Sequence, residues 1–191
     1  MLTFFCYHRL HTKKRALIPA LRVQQQAVAH FIFPMSVFVY PAPLEADMKL
    51  RPTETELTLP PPLILIPTAR DGRESYRLIS NDRLQDDFFD SWSHQLSKKK
   101  SKRTVKTYSE YTRVFLQYVQ LVAYQQGGLT AITLAHAIDS YESFLVFGTD
   151  SDIPMVQQAA EVLGNRNLSG SSVGVALAAL NNFVDASERL R

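Results

Sequence analysis

Apolar and aromatic side chains recur at steps of three and four between residues 104 and 125, and this pattern constrains the fold more than any other. Such spacing places the side chains on one face of a helix. The face consists of Tyr108, Tyr111, Phe115, Tyr118 and Val122, widened by Val105, Val114 and Leu121. It predicts a long helix that forms the spine of the core, and Gly127 or Gly128 is expected to end it in a left-handed conformation.

A shorter helix is expected before the spine, with Ser80 or Asn81 as its N-cap. Its apolar positions are Leu84, Phe88, Phe89, Trp92 and Leu96. After the spine, Thr133 is the expected cap of a helix over residues 134–147. The inward face of that helix comprises Ile138, Tyr141, Phe144 and Leu145, and Gly148 closes it.

Two more helices complete the domain. Asp152 and Pro154 predict the start of a short extra helix that stops at Gly164. Ser171 or Ser172 is the expected cap of the last helix, whose apolar positions are Val173, Val175, Leu177, Leu180, Phe183 and Val184. No strand-like alternation is comparably strong, so the sequence predicts an all-α domain over residues 80–191.

Residues 1–79 are expected to be a disordered or extended N-terminal tail. The first 47 residues show no sustained period, and Met48 is an alternative start because the composition changes there. Residues 60–67, PPPLILIP, are bounded by prolines and predict an extended surface strap. The apolar segment at residues 31–40 is too short to span a membrane. It also begins too far from the N-terminus for a typical secretory signal, so no membrane partner is expected.

The formal charge of +3 is unevenly distributed. Up to residue 47 there are five Lys or Arg against two acids, which leaves 16 of each from Met48 onward. Any affinity of the domain for nucleic acid must therefore come from a local patch. The segment SKKKSKRT is that patch, at the entrance to the spine helix.

A helix N-terminus carries partial positive charge and free N–H groups, both of which favour phosphate. A solvated linker or a nuclear-localisation signal would also explain the basic run. Acids are nearly absent along it and the charge continues into the helix, which favours contact with DNA phosphates. The predicted contacts are Lys98, Lys99, Lys100, Lys102, Arg103, Lys106 and Arg113.

No catalytic or metal-binding set is visible in the sequence. The single cysteine, Cys6, excludes an internal disulfide, and its neighbours His8 and His11 lack a fourth ligand. His94 and His136 are isolated, and tyrosine nucleophiles would need several converging basic groups. The clustered carboxylates Asp86, Asp87 and Asp90 suit the first turns of a helix. We expect no cofactor, no small-molecule substrate and no enzymatic activity.

Three motifs in order resemble the N-terminal core-binding domain of tyrosine recombinases, the phage integrase family. An aromatic pair, Phe88 and Phe89, leads into a T-x-x-x-Y helix from Thr104 to Tyr108. An LTAIT turn follows at residues 129–133, and a run of small residues and leucine lies at residues 176–180. The resemblance spans about residues 82–191.

The resemblance implies a SAM-like four-helix orthogonal bundle that clamps duplex DNA together with a separate catalytic domain. The family's catalytic arginines, histidine and tyrosine are not found before Arg191, so the resemblance implies a chain without the catalytic half. It adds Thr104, Ser171 and Ser172 as DNA contacts. The final helix departs from the family pattern, because only Ser171, Ser172, Asn181 and Asn182 offer polar groups there.

The sequence therefore predicts a duplex-DNA-binding domain associated with site-specific recombination and DNA integration, in the bacterial cytoplasm or on the nucleoid. A helical protein-interaction module with a merely solvating basic run is the alternative. A third interpretation is the front of a complete recombinase whose remainder was lost or frame-shifted; a separate or lost catalytic domain would then be a partner.

Overall fold

The computed structural model describes residues 59–80, 83–84, 87–164 and 167–189. These residues form a small antiparallel sheet followed by five α-helices. The strands are β1 (Ile64–Arg70), β2 (Arg73–Ser80) and the two-residue β3 (Arg83–Leu84). The helices are α1 (Asp87–Lys99), α2 (Lys102–Gln125), α3 (Ala131–Val146), α4 (Pro154–Leu163) and α5 (Gly170–Arg189), with a 3-10 turn at Gly148–Asp150 between α3 and α4.

β1 and β2 form a hairpin that the sequence patterns did not predict. Its two-residue turn places both Asp71 (φ 53°) and Gly72 (φ 68°) in the left-handed region. Turns with positive φ at both positions match the twist of the flanking strands, and Asp-Gly is among the pairs that favour them. The strands pair in register from Arg70 opposite Arg73 to Ile64 opposite Ile79.

The hairpin belongs to the same hydrophobic core as the helices. Leu63, Tyr76 and Leu78 are buried in that core. The backbone N–H of Leu63 donates to Gln117 Oε1 on α2, and its carbonyl accepts from Arg113 Nη1 at 3.3 Å. The extended conformation expected for residues 60–67 continues into β1, but order does not begin at residue 80. The folded unit includes the last part of the supposed tail, because its apolar side chains have a core to join.

The remainder of the expected tail, including Met48 and the first 47 residues, lies outside the described residues. So does Asn81, one of the two expected caps of the first helix. That helix begins at Asp87, since Ser80 and Leu84 belong to strands. Phe89 and Trp92 on α1 are buried, and the Trp92 ring meets Phe183 of α5 edge-on at 5.0 Å.

α2 is the central helix, as the periodicity predicted. Val105, Phe115, Tyr118, Leu121 and Val122 are all buried, while the remaining apolar positions of the stripe are half-buried. Its end is a Schellman motif: the N–H of Gly128 donates to Ala123 O at 2.7 Å, and that of Gly127 donates to Tyr124 O at 3.3 Å. The left-handed Gly127 (φ 80°) confirms the expected stop.

α3 starts three residues earlier than predicted. Thr130 is the N-cap, and Thr133 is the third helical residue that completes a capping box. Both hydroxyls satisfy backbone N–H groups, so a threonine at either position gives a similar sequence signal. α3 packs against α2 through aromatic pairs, with ring centroids 4.5 Å apart for Tyr118 and Phe144 and 4.9 Å for Phe115 and Tyr141.

α4 and α5 close the bundle. α4 has Ile153 rather than Asp152 at its N-cap, and the left-handed Gly164 (φ 60°) ends it as expected. α5 begins at Gly170, and Ser169 Oγ accepts from the N–H of Ser172 at 3.5 Å, which places the cap before the two predicted serines. Val175 is 40% exposed, so it lies outside the inward face of α5.

The described part of the chain is therefore mostly helical, but it is not all-α. The expectation failed because the hairpin is short and its strands lack clean alternation. β1 is mostly exposed, with the burial of its side chains set by the helices packed beside it.

Candidate nucleic-acid interface

The predicted basic run forms a tight corner between α1 and α2. Lys98 and Lys99 lie in the last turn of α1, and the N–H of Lys100 still donates to Leu96 O at 2.9 Å. Ser101 is the N-cap of α2, its Oγ accepting from the N–H of Thr104 at 3.2 Å. Because only Lys100 and Ser101 separate the helices, the corner presents its cations together. The side chains exposed there are those of Lys98, Lys99, Lys100, Lys102, Arg103 and Lys106.

The first turn of α2 contains no acidic residue. Lys102 and Arg103 instead lie at the positive end of the helix dipole, where a cation is unfavourable by about 0.3–1 kcal/mol and an anion is favourable. Lys102 is the one basic residue of this corner that forms an ion pair within the described part of the chain. Five exposed cations at the corner thus have no acidic partner among the described residues.

Glu74, on β2 of the hairpin, is the partner of Lys102. Its Oε2 pairs with Lys102 Nζ, and its Oε1 accepts from the hydroxyl of Tyr76 at 2.6 Å. The hydrogen bond from Lys102, assisted by that from Tyr76, lowers the pKa of Glu74 below its usual value. Burial, together with the bond to Glu74, raises the pKa of Tyr76 to about 12. Glu74 is therefore ionised at neutral pH.

Further contacts fix the hairpin tip against α1. Arg73 Nη1 donates to Ser97 O at 3.1 Å, and the N–H of Tyr76 donates to Ser93 Oγ at 2.9 Å. Asp71 Oδ2 lies 3.3 Å from His94 Nε2. Between the tip and the corner is an open concavity of about 600 Å³, lined in part by Arg73, Lys100 and Lys102. Cations from β2, from the link between α1 and α2, and from α2 therefore face one space, together with the carboxylate of Glu74.

Two sets of predicted contacts lie away from this corner. Arg113 pairs with Glu110 at 3.2 Å and donates to Leu63 O, so its guanidinium holds the hairpin to α2. Ser171 and Ser172 have hydroxyls 3.1 Å from Ser169 Oγ, at the start of α5. That start follows Leu168, whose N–H donates to Leu145 O of α3 at 3.0 Å. The structure does not bring these three residues together with the lysine run.

Thr104 lies at the corner, but its polar groups are engaged. Its N–H is capped, and its Oγ1 is 2.9 Å from Ser101 Oγ. The side chain is only half-exposed. Thr104 therefore shapes the turn that presents the neighbouring cations.

The tyrosines of the spine have a core role. Tyr118 is fully buried, with its hydroxyl 2.7 Å from Ser140 Oγ, and this burial raises its pKa to about 12. Burial also raises the pKa of Tyr141. Hydroxyls with raised pKa values and no access to solvent are poor nucleophiles.

Within the described ranges, no group of three or more His, Cys, Asp or Glu side chains could hold a metal ion. No helix in that part of the chain is both long and apolar enough to cross a membrane.

Sequence reasoning missed the contribution of the hairpin. Arg73 and Glu74 reach the corner from more than 20 positions earlier in the chain, and no local pattern links them to Lys100 or Lys102. The Asp71-Gly72 pair was the available signal for a hairpin, and the hairpin would have brought its arginines into consideration.

Comparison of the chain with protein-family models, with curated proteins and with solved structures finds no match. The resemblance to the core-binding domain of tyrosine recombinases stays a prediction from its three motifs.

Proposed function

We propose that the protein binds duplex DNA through the α1–α2 corner, as a non-catalytic, integrase-like core-binding domain that serves site-specific recombination. The observation that carries the proposal is the group of five exposed cations without acidic partners: Lys98, Lys99, Lys100, Arg103 and Lys106. Arg103 lies in the first turn of α2, where the helix dipole adds further positive potential. A row of DNA phosphates would neutralise the five cations and that potential.

The SAM-like bundle is part of the same proposal. Its support is the order of five helices after the hairpin, with the T-x-x-x-Y motif of Thr104 and Tyr108 opening the central helix. The catalytic residues would be supplied by another domain, and the chain itself would leave DNA strands uncut. Backbone contacts of this kind position a protein on DNA without reading its sequence, so weak sequence preference is expected.

The test is fluorescence anisotropy of the full chain with a labelled duplex of random sequence, at several salt concentrations. Five phosphate contacts give a log–log slope of about −4.5, so raising salt from about 50 to about 200 mM weakens binding on the order of 500-fold. A variant with Lys98, Lys99 and Lys100 changed to Gln loses three contacts and should give a slope near −1.8. Arg189→Gln, which removes an exposed cation at the end of α5, is the control.

A protein-interaction role is the second candidate, and it is favoured by a different observation. Ile64 and Ile66 on β1 are 49% and 40% exposed and share one face of the hairpin. Under that alternative the full chain shows negligible DNA binding at every salt concentration, and the triple lysine variant behaves like the parent. Such a result would end the DNA proposal.

A further inference from the structure

We propose that the tip of the β1–β2 hairpin is a second phosphate-binding element, in which Arg70 and Arg73 extend the DNA-contacting surface beyond the α1–α2 corner. The inference rests on the proposed function and adds a separate element to it. The sequence motifs and the resemblance concern the helices alone. The evidence for a role of the hairpin is its position in the structure, beside the α1–α2 corner.

The first support is the pairing of two like charges. Arg70 and Arg73 are opposite each other in the strand register, at the positions that flank the turn. Directly opposed side chains leave the same face of a sheet, and like charges there destabilise the hairpin. Both residues are exposed. A phosphate held between the two guanidinium groups would turn this repulsion into a bidentate contact.

The second support is the availability of Arg70. Its side chain makes no hydrogen bond or ion pair with any residue that the structure describes. Arg73 uses Nη1 to hold Ser97 O at 3.1 Å, which leaves its remaining donors for a ligand. The acid of the turn, Asp71, lies with Oδ2 3.3 Å from His94 Nε2. That carboxylate therefore contacts α1, although the Asp71 side chain is itself 69% exposed, and both arginines are exposed.

The third support is rigidity and position. The left-handed turn fixes the two strands, and the contacts from Arg73 and Tyr76 to α1 hold the tip beside Lys98–Lys100 of the corner. The concavity of about 600 Å³ between them has Arg73 on one side and Lys100 and Lys102 on the other. A DNA backbone that contacts the corner thus meets Arg73 already held in place, with Arg70 directly opposite it in the strand register.

The experiment measures duplex binding by the full chain carrying Arg70→Gln, again as a function of salt. Loss of one phosphate contact should make the log–log slope shallower by about 0.9, and should weaken binding about eightfold near 0.1 M salt. Arg70→Lys keeps the charge and should retain the parent slope. Arg189→Gln should also leave the slope unchanged.

Two results overturn the inference, and they differ in what else they overturn. If Arg70→Gln binds like the parent while the triple lysine variant is weakened, the hairpin is not a contact and the corner still is. If the parent itself shows no salt-dependent binding, the proposed function falls together with the inference. Circular dichroism of Arg70→Gln, compared with Arg70→Lys, checks that both variants keep the parent fold.

Discussion

Glu74 on β2 forms an ion pair with Lys102 in the first turn of α2, and both residues line the concavity between the hairpin tip and the α1–α2 corner. The ion pair engages the ammonium group of Lys102, which is then less available to contact a DNA phosphate under the proposed function. It also brings a negative charge near Lys106, which contributes to the lowered pKa of Glu74. Under the proposed function, Glu74 therefore opposes DNA binding at the start of α2.

Replacing Glu74 by Gln should strengthen DNA binding, because Lys102 becomes free to contact a phosphate. One added contact makes the log–log salt slope steeper by about 0.9 and tightens binding about eightfold near 0.1 M salt. The measurement is the anisotropy titration of the full chain. Glu188→Gln removes an exposed acid at the end of α5 and should change little. Equal effects of both variants would show that only net charge matters.

The hairpin turn gives a stability prediction with an internal control. Gly72 has a φ of 68°, and a Cβ added there would meet no neighbouring atom. Gly72→Ala should therefore destabilise the fold by about 1 kcal/mol, solely because an L-residue is strained in the left-handed conformation. Gly174 lies within α5, also with open space, and Gly174→Ala should stabilise by about 0.5–1 kcal/mol. Urea unfolding measures both. A destabilised Gly174→Ala would contradict the helical, exposed position of that glycine.

The helices could be predicted because their signals are local. The stripe on α2, Gly127 at its end, and Pro154 and Gly164 around α4 each act within a few residues. The caps of α3 and α5 were displaced by two or three positions, since Thr130 and Ser169 compete with nearby residues of the same type. The hairpin was missed because Leu63, Tyr76 and Leu78 gain burial only when the helices are already in place.

In the candidate site, too, the features with local sequence signals could be predicted and those that depend on distant contacts could not. The lysine run could be found because it is contiguous, and a run that joins two helices must form a corner. Whether an individual basic side chain is available for a ligand depends on distant partners. Arg113 donates to Leu63 O, and Lys102 pairs with Glu74. These pairs join residues about 30 to 50 positions apart, and no spacing rule connects them.

The two buried tyrosines that pack together should respond differently to loss of the hydroxyl. Tyr118 has its hydroxyl 2.7 Å from Ser140 Oγ, so Tyr118→Phe should destabilise by about 1 kcal/mol. The hydroxyl of Tyr141 is buried without a hydrogen-bond partner among the described residues. Tyr141→Phe should therefore be neutral or slightly stabilising. Denaturant midpoints compare the two, and an equal loss in both would mean that Tyr141 has a partner.

Alkaline pH should cancel the destabilisation caused by Tyr118→Phe. The pKa of Tyr118 rises from 10.0 to about 12 on folding, chiefly because the side chain is buried. Its contribution is fully present below pH 10 and is lost as the pH rises to about 12, since the unfolded chain ionises first. At pH 11 that loss is about 1.4 kcal/mol, close to the estimated value of the hydrogen bond. Tyr118→Phe should thus be less stable than the parent at pH 8 and about equally stable at pH 11. Urea unfolding at the two pH values measures this, and an unchanged deficit at pH 11 would show that Tyr118 ionises as readily in the folded protein as in the unfolded chain.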